Sequence, residues 1–255
     1  GNYDYLCESV NSSGKCTAPA TPYRTICMGY SASNSCIVYT SSSKKWAING
    51  ITLAPGVAWF DGNLAVEDGR YINTFMATGN ITTGGSLKLY SPNYAGYQPV
   101  CTDAKSGSPY NIAIDYRLSG LFPTDLCANG KMSPTPLANV ALMAGGVNSA
   151  GTYVGGDISL GASNEIYGSI IAGNLLNTGG STKVVGSVQA AKSRPGSESG
   201  TSNWIEKTTI DLTQLPATFN PNEIPCMKNS AGEGCGGTES TTTLGGIQIK
   251  WTRYL

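Results

Sequence analysis

The sequence predicts an all-β chain: a β-solenoid (β-helix) with coils of about 17–18 residues, disulfide-tied caps and an irregular insertion. Three observations predict it. First, the tripeptide Gly62-Asn63-Leu64 returns seventeen residues later as Gly79-Asn80-Ile81, and again as Gly173-Asn174-Leu175. The second and third copies continue to match, with one extra residue in the third: Asn80-Ile-Thr-Thr-Gly-Gly-Ser-Leu-Lys-Leu89 lies over Asn174-Leu-Leu-Asn-Thr-Gly-Gly-Ser-Thr-Lys-Val184. Second, residues 163–172 match residues 181–190 at an offset of eighteen. Apolar pairs stay apolar (Ile166 with Val184, Ile170 with Val188), Gly168 meets Gly186, and Glu165 exchanges for Lys183. Such a pattern turns apolar residues into a shared core, leaves charged ones in water, and uses Gly where the chain turns a corner. Third, the apolar residues are often β-branched and flanked by Gly, Asn and Ser, with no 3.6-residue periodicity, which reads as strands and tight turns.

The elements follow in order. Residues 1–45 form an N-terminal disulfide-tied cap, needed because an open stack exposes strand edges. Residues 46–219 form the solenoid. Its coils start at Trp46, run through Ile48, Ile51, Leu53, Val57 and Trp59, and continue to Tyr90. Residues 91–136 break the period and carry six prolines, so they read as an excursion from one side. The coils resume at Leu137 and end near Ala190. Residues 192–202 read as a mobile loop and residues 203–219 as a last coil. Residues 220–255 are a disulfide-tied closing segment ending in the strand-like run Gly246-Ile-Gln-Ile-Lys-Trp-Thr-Arg-Tyr254. Leu142-Met-Ala-Gly145, Ile170-Ile-Ala-Gly173 and Phe75-Met-Ala-Thr-Gly79 read as one strand-to-corner step in three coils. Asn63, Asn80, Asp157 and Asn174 are assigned to one corner, as a structural ladder of side chains bonded up the stack at about 4.8 Å per step.

Eight cysteines set the compartment. Cys7 with Cys16, Cys27 with Cys36, and Cys226 with Cys235 share one spacing, and Cys101 and Cys127 bracket a segment. The shared spacing favours local pairing. Zinc fits badly, because structural sites use closer ligands and often His, and this chain has no His. Disulfides of this kind persist in periplasmic or extracellular space. No run approaches the roughly 18 apolar residues of a membrane span.

Composition narrows the function. Sixteen basic residues balance sixteen acidic ones, so no global field steers nucleic acid or an anionic membrane. Without His, Ser-His-Asp and Cys-His catalysis and His-bearing metal sites are excluded. Carboxylate pairs remain: Glu67-Asp68, Asp157 with Glu165, and the Asp103, Asp115 and Asp125 group. They leave a carbohydrate-active β-helix enzyme, a polysaccharide lyase or hydrolase, as the alternative reading. Glu67-Asp68-Gly69 reads better as a turn, and Glu165 aligns with Lys183. Gly84-Gly85-Ser86 and Gly179-Gly180-Ser181 lack the Lys-Ser/Thr and helix of a phosphate loop. A threonine face for ice binding is interrupted by Lys183 and Glu165. No cofactor or metal site is expected.

Tyrosine is the better functional hint. Fourteen Tyr stand against four Phe, and Tyr90, Tyr94, Tyr97, Tyr110 and Tyr116 lie in or beside the insertion. Tyr offers a flat apolar face and a polar tip for stacking on sugars or gripping a partner. The competing role is to cover an insertion with little core of its own.

The run Gly155-Gly-Asp-Ile-Ser-Leu-Gly-Ala-Ser-Asn-Glu-Ile-Tyr-Gly-Ser-Ile-Ile-Ala-Gly-Asn174, with Asn80-Ile-Thr-Thr-Gly-Gly-Ser86, resembles the β-solenoid ectodomains of large minor pilins of bacterial type IV pilus and DNA-uptake systems. The resemblance covers roughly residues 46–215 in pattern. It implies a protein of the bacterial surface, pilus or periplasm, held by a hydrophobic N-terminal helix. The chain opens on the polar Gly1-Asn2-Tyr3-Asp4, so a trimmed or processed ectodomain is expected. The resemblance also implies partners: other pilin subunits, or a surface, glycan or DNA ligand. It transfers no catalytic site. The expectation is a non-enzymatic extracellular binding or adhesion ectodomain.

Overall fold

The computed structural model describes residues 7–12, 16–19, 26–27, 37–48, 53–102, 112, 118–123, 126–133, 135–148, 150–192 and 202–215. Over these residues the chain is all-β, with two short helices. Strands β1 (Cys7–Val10) and β2 (Cys16–Pro19) pair antiparallel. β3 (Ile37–Thr40) runs antiparallel to β4 (Lys45–Ile48). From β4 onward the chain visits three parallel ladders in cyclic order.

The first circuit continues with β5 (Gly56–Phe60), and the second holds β6 (Asn63–Val66) and β7 (Arg70–Ala77). The third holds β8 (Ile81–Thr83) and β9 (Lys88–Tyr90), then the insertion. Within the insertion lie α1 (Pro92–Ala95), α2 (Tyr97–Cys101) and the hairpin β10 (Cys127–Ala128) with β11 (Lys131–Met132). β12 (Val140–Ala144) completes the third circuit, and a small hairpin follows, β13 (Gly146–Val147) with β14 (Tyr153–Val154). The fourth circuit is β15 (Ile158–Leu160), β16 (Glu165–Tyr167) and β17 (Ser169–Ala172). The fifth is β18 (Leu176–Thr178), β19 (Lys183–Val185) and β20 (Val188–Ala190). β21 (Trp204–Ile205) and β22 (Thr209–Asp211) end the described chain.

Ladder 1 stacks β4, β6, β8, β15, β18 and β21, with β3 added at its edge. Ladder 2 stacks the start of β7, then β9, β16, β19 and β22. Ladder 3 stacks β5, the end of β7, β12, β17 and β20. Leu64 pairs with Ile81 and Ile166 with Val184, which reproduces the offsets of seventeen and eighteen seen in sequence. Phe75, Leu142 and Ile170 share one rung position, as the three matched strand-to-corner phrases predict.

One core lies between the ladders. Ladder 1 contributes Leu64, Ile81, Ile158 and Leu176, ladder 2 Tyr71, Leu89, Ile166 and Val184, and ladder 3 Phe75, Leu142 and Ile170. Side chains alternate across a strand, so period-two strands turn these residues inward and their neighbours outward. Each fully buried Leu or Ile contributes roughly 1.5–3 kcal/mol over leaving it in water. Close stacking leaves no room at the corners. A Cβ on Gly79 would lie 2.7 Å from the carbonyl carbon of Gly62 one circuit below.

The insertion spans residues 91–139, three residues longer than the sequence suggests. Pro136 to Asn139 form a short 3-10 turn, and the ladder resumes at Val140 rather than Leu137.

Candidate functional site

The insertion leaves the scaffold at the corner between ladders 2 and 3. Two other circuits cross that corner on a single glycine, Gly168 (φ 141°) and Gly186 (φ 148°), a conformation that disfavours side chains. Ser91 holds the same rung. Its N–H donates to Tyr167 O at 2.7 Å, as Gly168 N–H does to Val185 O and Gly186 N–H to Asp211 O, each at 2.9 Å. The excursion therefore replaces one glycine corner and leaves the ladder bonds intact. Pro92 opens α1, where a missing N–H costs nothing. The segment closes on itself through Cys101–Cys127 (S–S 2.01 Å, Cα–Cα 5.5 Å). Asn129 and Gly130, both at positive φ, turn the β10–β11 hairpin.

Ladder 2 explains where the insertion lies. Its strands place one residue inward and two outward. The outward residues at one end are Arg70, Lys88, Glu165, Lys183 and Thr209; at the other end they are Ile72, Tyr90, Tyr167, Val185 and Asp211. Ile72, Tyr90, Tyr167 and Val185 are buried, forming a second core with Tyr94, Ala95, Val100, Cys101 and Ile112. The insertion borrows this outer surface as half of its core.

That use fixes the fate of the tyrosines. Tyr90 stacks on Tyr167 with ring centroids 4.5 Å apart and planes 8° apart. Burial pushes its hydroxyl above the ordinary value, against the opposing pull of Arg70. Tyr94 is 3% exposed and Tyr97 is half-buried against the same cluster. Tyr90 and Tyr94, expected as candidate ligand contacts, thus turn their faces to protein, because the outer row needs partners more than the solvent does. Tyr110 and Tyr116 lie outside the described residues. Beside the stack, Lys88 Nζ lies 2.6 Å from Glu165 Oε1, Tyr167 OH donates to Glu165 Oε2 at 3.3 Å, and Lys183 sits 5.6 Å above the Tyr167 ring. The Lys88 hydrogen bond holds the Glu165 carboxyl below its usual range, outweighing the opposite effect of burial.

The corner between ladders 3 and 1 carries the polar row, in a different form from the one expected. Asn63 Oδ1 accepts the Asn80 N–H at 2.9 Å, and Asn80 Oδ1 accepts the Asp157 N–H at 3.0 Å. At these two steps the side chain bonds the backbone of the next circuit; only the Asp157 step joins side chain to side chain. Asn174 does not share this rung. Ile158 pairs with Leu176, so Leu175 stands over Asp157 and Asn174 stands over Gly156. The extra residue of the third copy shifts the tripeptide by one place. Asn174 still reaches the row, donating from Nδ2 to Asp157 Oδ1. Gly173 has its own reason to be Gly: the Tyr153 hydroxyl occupies the space a Cβ would need there and at Gly145. Burial, helped by the Asp157 charge, raises the Tyr153 pKa.

Among the described residues Asp157 and Glu165 do not converge. Asp157 is on the ladder 3–1 corner and Glu165 on the outside of ladder 2. Asp68 Oδ1 accepts the Ser86 N–H of the next circuit at 3.1 Å. Asp103, Asp115 and Asp125 lie outside the described residues. Among the described residues no group of three or more His, Cys, Asp or Glu side chains gathers as a metal site, and no helix is long and apolar enough to cross a membrane. Cys27 is disulfide-bonded. Cys36, Cys226 and Cys235, and the side chains of Cys7 and Cys16, lie outside the described residues.

Tyr39, Trp59 and Trp204 are exposed aromatics, at 44%, 55% and 62%; the sequence places Trp59 along a coil without assigning it to the outer face, and does not single out the other two. Strand parity is the signal that finds Trp59. Ala58 and Phe60 face the core, so Val57 and Trp59 must face out. Compared with protein-family models, curated proteins and solved structures, the chain matches none.

Proposed function

We propose that the chain is a β-solenoid ectodomain that displays a disulfide-tied insertion for binding, exported to the bacterial surface, pilus or periplasm, and not an enzyme. The observation that carries this reading is the seating of residues 91–139: a regular three-ladder scaffold holds an excursion stapled by Cys101–Cys127 on one outer face. Parallel pairing at offsets of seventeen and eighteen supports the solenoid reading. A disulfide at the insertion and another at Cys27 support an oxidising compartment. Loops held on a rigid scaffold are where binding surfaces concentrate. The ligand in this reading is a surface, a glycan or DNA, and pilus subunits are the assembly partners, as the minor-pilin resemblance implies.

The test is a binding panel on the whole chain, with glycans and duplex DNA as probes and reducing-end release measured in parallel. Capture without product release is expected. DNA capture should weaken steeply as salt rises. Release of reducing ends that Asp157→Asn abolishes would overturn the reading in favour of a polysaccharide lyase or hydrolase.

A further inference from the structure

The two ends of the stack are finished differently. At the first circuit β3 lies antiparallel on β4, and Leu53 bridges antiparallel to Cys27. At the last circuit β20, β21 and β22 each pair on one side only, among the described residues. Trp204 is 62% and Ile205 48% exposed there. Val188, Ala190 and Ile210 belong to the main core yet stay half-buried. Among the described residues none returns to cover them. Asp211 Oδ1 accepts both the N–H and the hydroxyl of Thr213, a tight turn, and Leu215 then packs on the insertion cluster. Bare parallel edges with exposed apolar side chains template association unless something covers them.

We propose that residues 246–254 of the same chain cover this end. Forty residues follow Leu215, which stands four residues beyond the end of β22 in the open circuit. The thirty between Leu215 and Gly246 could span up to roughly 100 Å, so reach sets no limit. Within those forty residues this stretch carries a sustained strand alternation. Ile247, Ile249 and Trp251 fall on one face and Gln248, Lys250 and Thr252 on the other. An apolar face of that length suits an edge flanked by Ile205, Ile210 and Val188. The inference uses the ladders alone and stands apart from the ligand-binding reading.

Hydrogen–deuterium exchange on the full, disulfide-intact chain tests it at two protein concentrations. Covered edges predict that amides of residues 188–190 and 204–205 exchange about tenfold or more slower than an unpaired edge allows, equally at both concentrations. Ile249→Asp should erase that protection while Lys250→Asp leaves it in place, with amides of β7 unchanged in both. Fast exchange in the unaltered chain overturns the proposal. Protection that grows with concentration overturns it too, since a second copy would then be the cover. So does protection that survives Ile249→Asp.

Discussion

Ladder 1 turns a central row of Ala47, Ala65, Thr82, Ser159 and Asn177 outward, whereas ladder 2 turns Ile72, Tyr90, Tyr167 and Val185 outward. The inner rows of the two ladders are equally apolar, and both follow the same repeat. The outer rows alone decide what each face carries. Along its middle ladder 1 offers two alanines and then polar residues, with larger apolar side chains only at its two ends, Val38 and Trp204, while ladder 2 provides the missing half of a core for a segment that cannot bury enough of its own. The insertion therefore lies where the scaffold is apolar on both sides, and the stacked Tyr90–Tyr167 pair is part of its foundation.

The sharpest way to break this comparison is one substitution made on both faces. Tyr167→Asp places a charge in a site only 8% exposed, so about 3–5 kcal/mol should be lost and the insertion released. Ser159→Asp at the equivalent outward place should change stability by no more than about 0.5 kcal/mol. Chemical denaturation of the two variants measures the difference. Removing Cys101–Cys127, by changing both to Ser, should cost about 3.5 kcal/mol on the chain-entropy model for a separation of 26. The loss should appear in the insertion's amides before the ladders'. Tyr90→Leu keeps the apolar contact but removes the ring stack, for a loss of about 0.5–1.5 kcal/mol. The smallest effect belongs to Lys88→Met. Glu165 titrates below its ordinary value of 4.5 because of Lys88, so the pair's contribution is present above that pH and fades as pH falls through the lowered value. Both side chains are partly in water, which limits it to about 0.2–1 kcal/mol. A pH titration of stability in both proteins should show the acid limb flatten in Lys88→Met.

Much of this architecture can be read from residue spacing. The match of residues 163–172 to 181–190 carries the true register, because the core-facing Ile166, Ile170 and Ala172 each face a like neighbour on an adjacent rung, while Ile171 faces Gln189. The Gly-Asn-apolar tripeptide misled at its third copy. Gly173 and Asn174 look like Gly79 and Asn80, yet one added residue puts Leu175 on the Asn rung. A glycine demanded by Tyr153 imitates one demanded by stacking. The site was harder to read. Tyr in a proline-rich excursion looks available for a ligand, and only the ladder register reveals that Tyr90 and Tyr167 lie on neighbouring rungs. Their closeness depends on a contact across 77 residues, which no local pattern encodes. The outward apolar row was nevertheless present in the sequence as the third ladder 2 residue of β7, β9, β16 and β19, namely Ile72, Tyr90, Tyr167 and Val185, before Asp211 ends it.

In the proposed function the ladders are scaffold and residues 91–139 carry binding. Excision tests it most directly, because the other circuits show how to close the gap: join Tyr90 to Val140 through one glycine, as Gly168 joins Tyr167 to Ser169. Changing Tyr90 and Tyr167 to Thr keeps the bared row compatible with water. Retention of the shortened chain on the glycan and DNA probes is then compared with that of the intact protein. The account predicts protected ladder amides and loss of binding by more than about tenfold. Undiminished binding by the shortened, folded chain would contradict it.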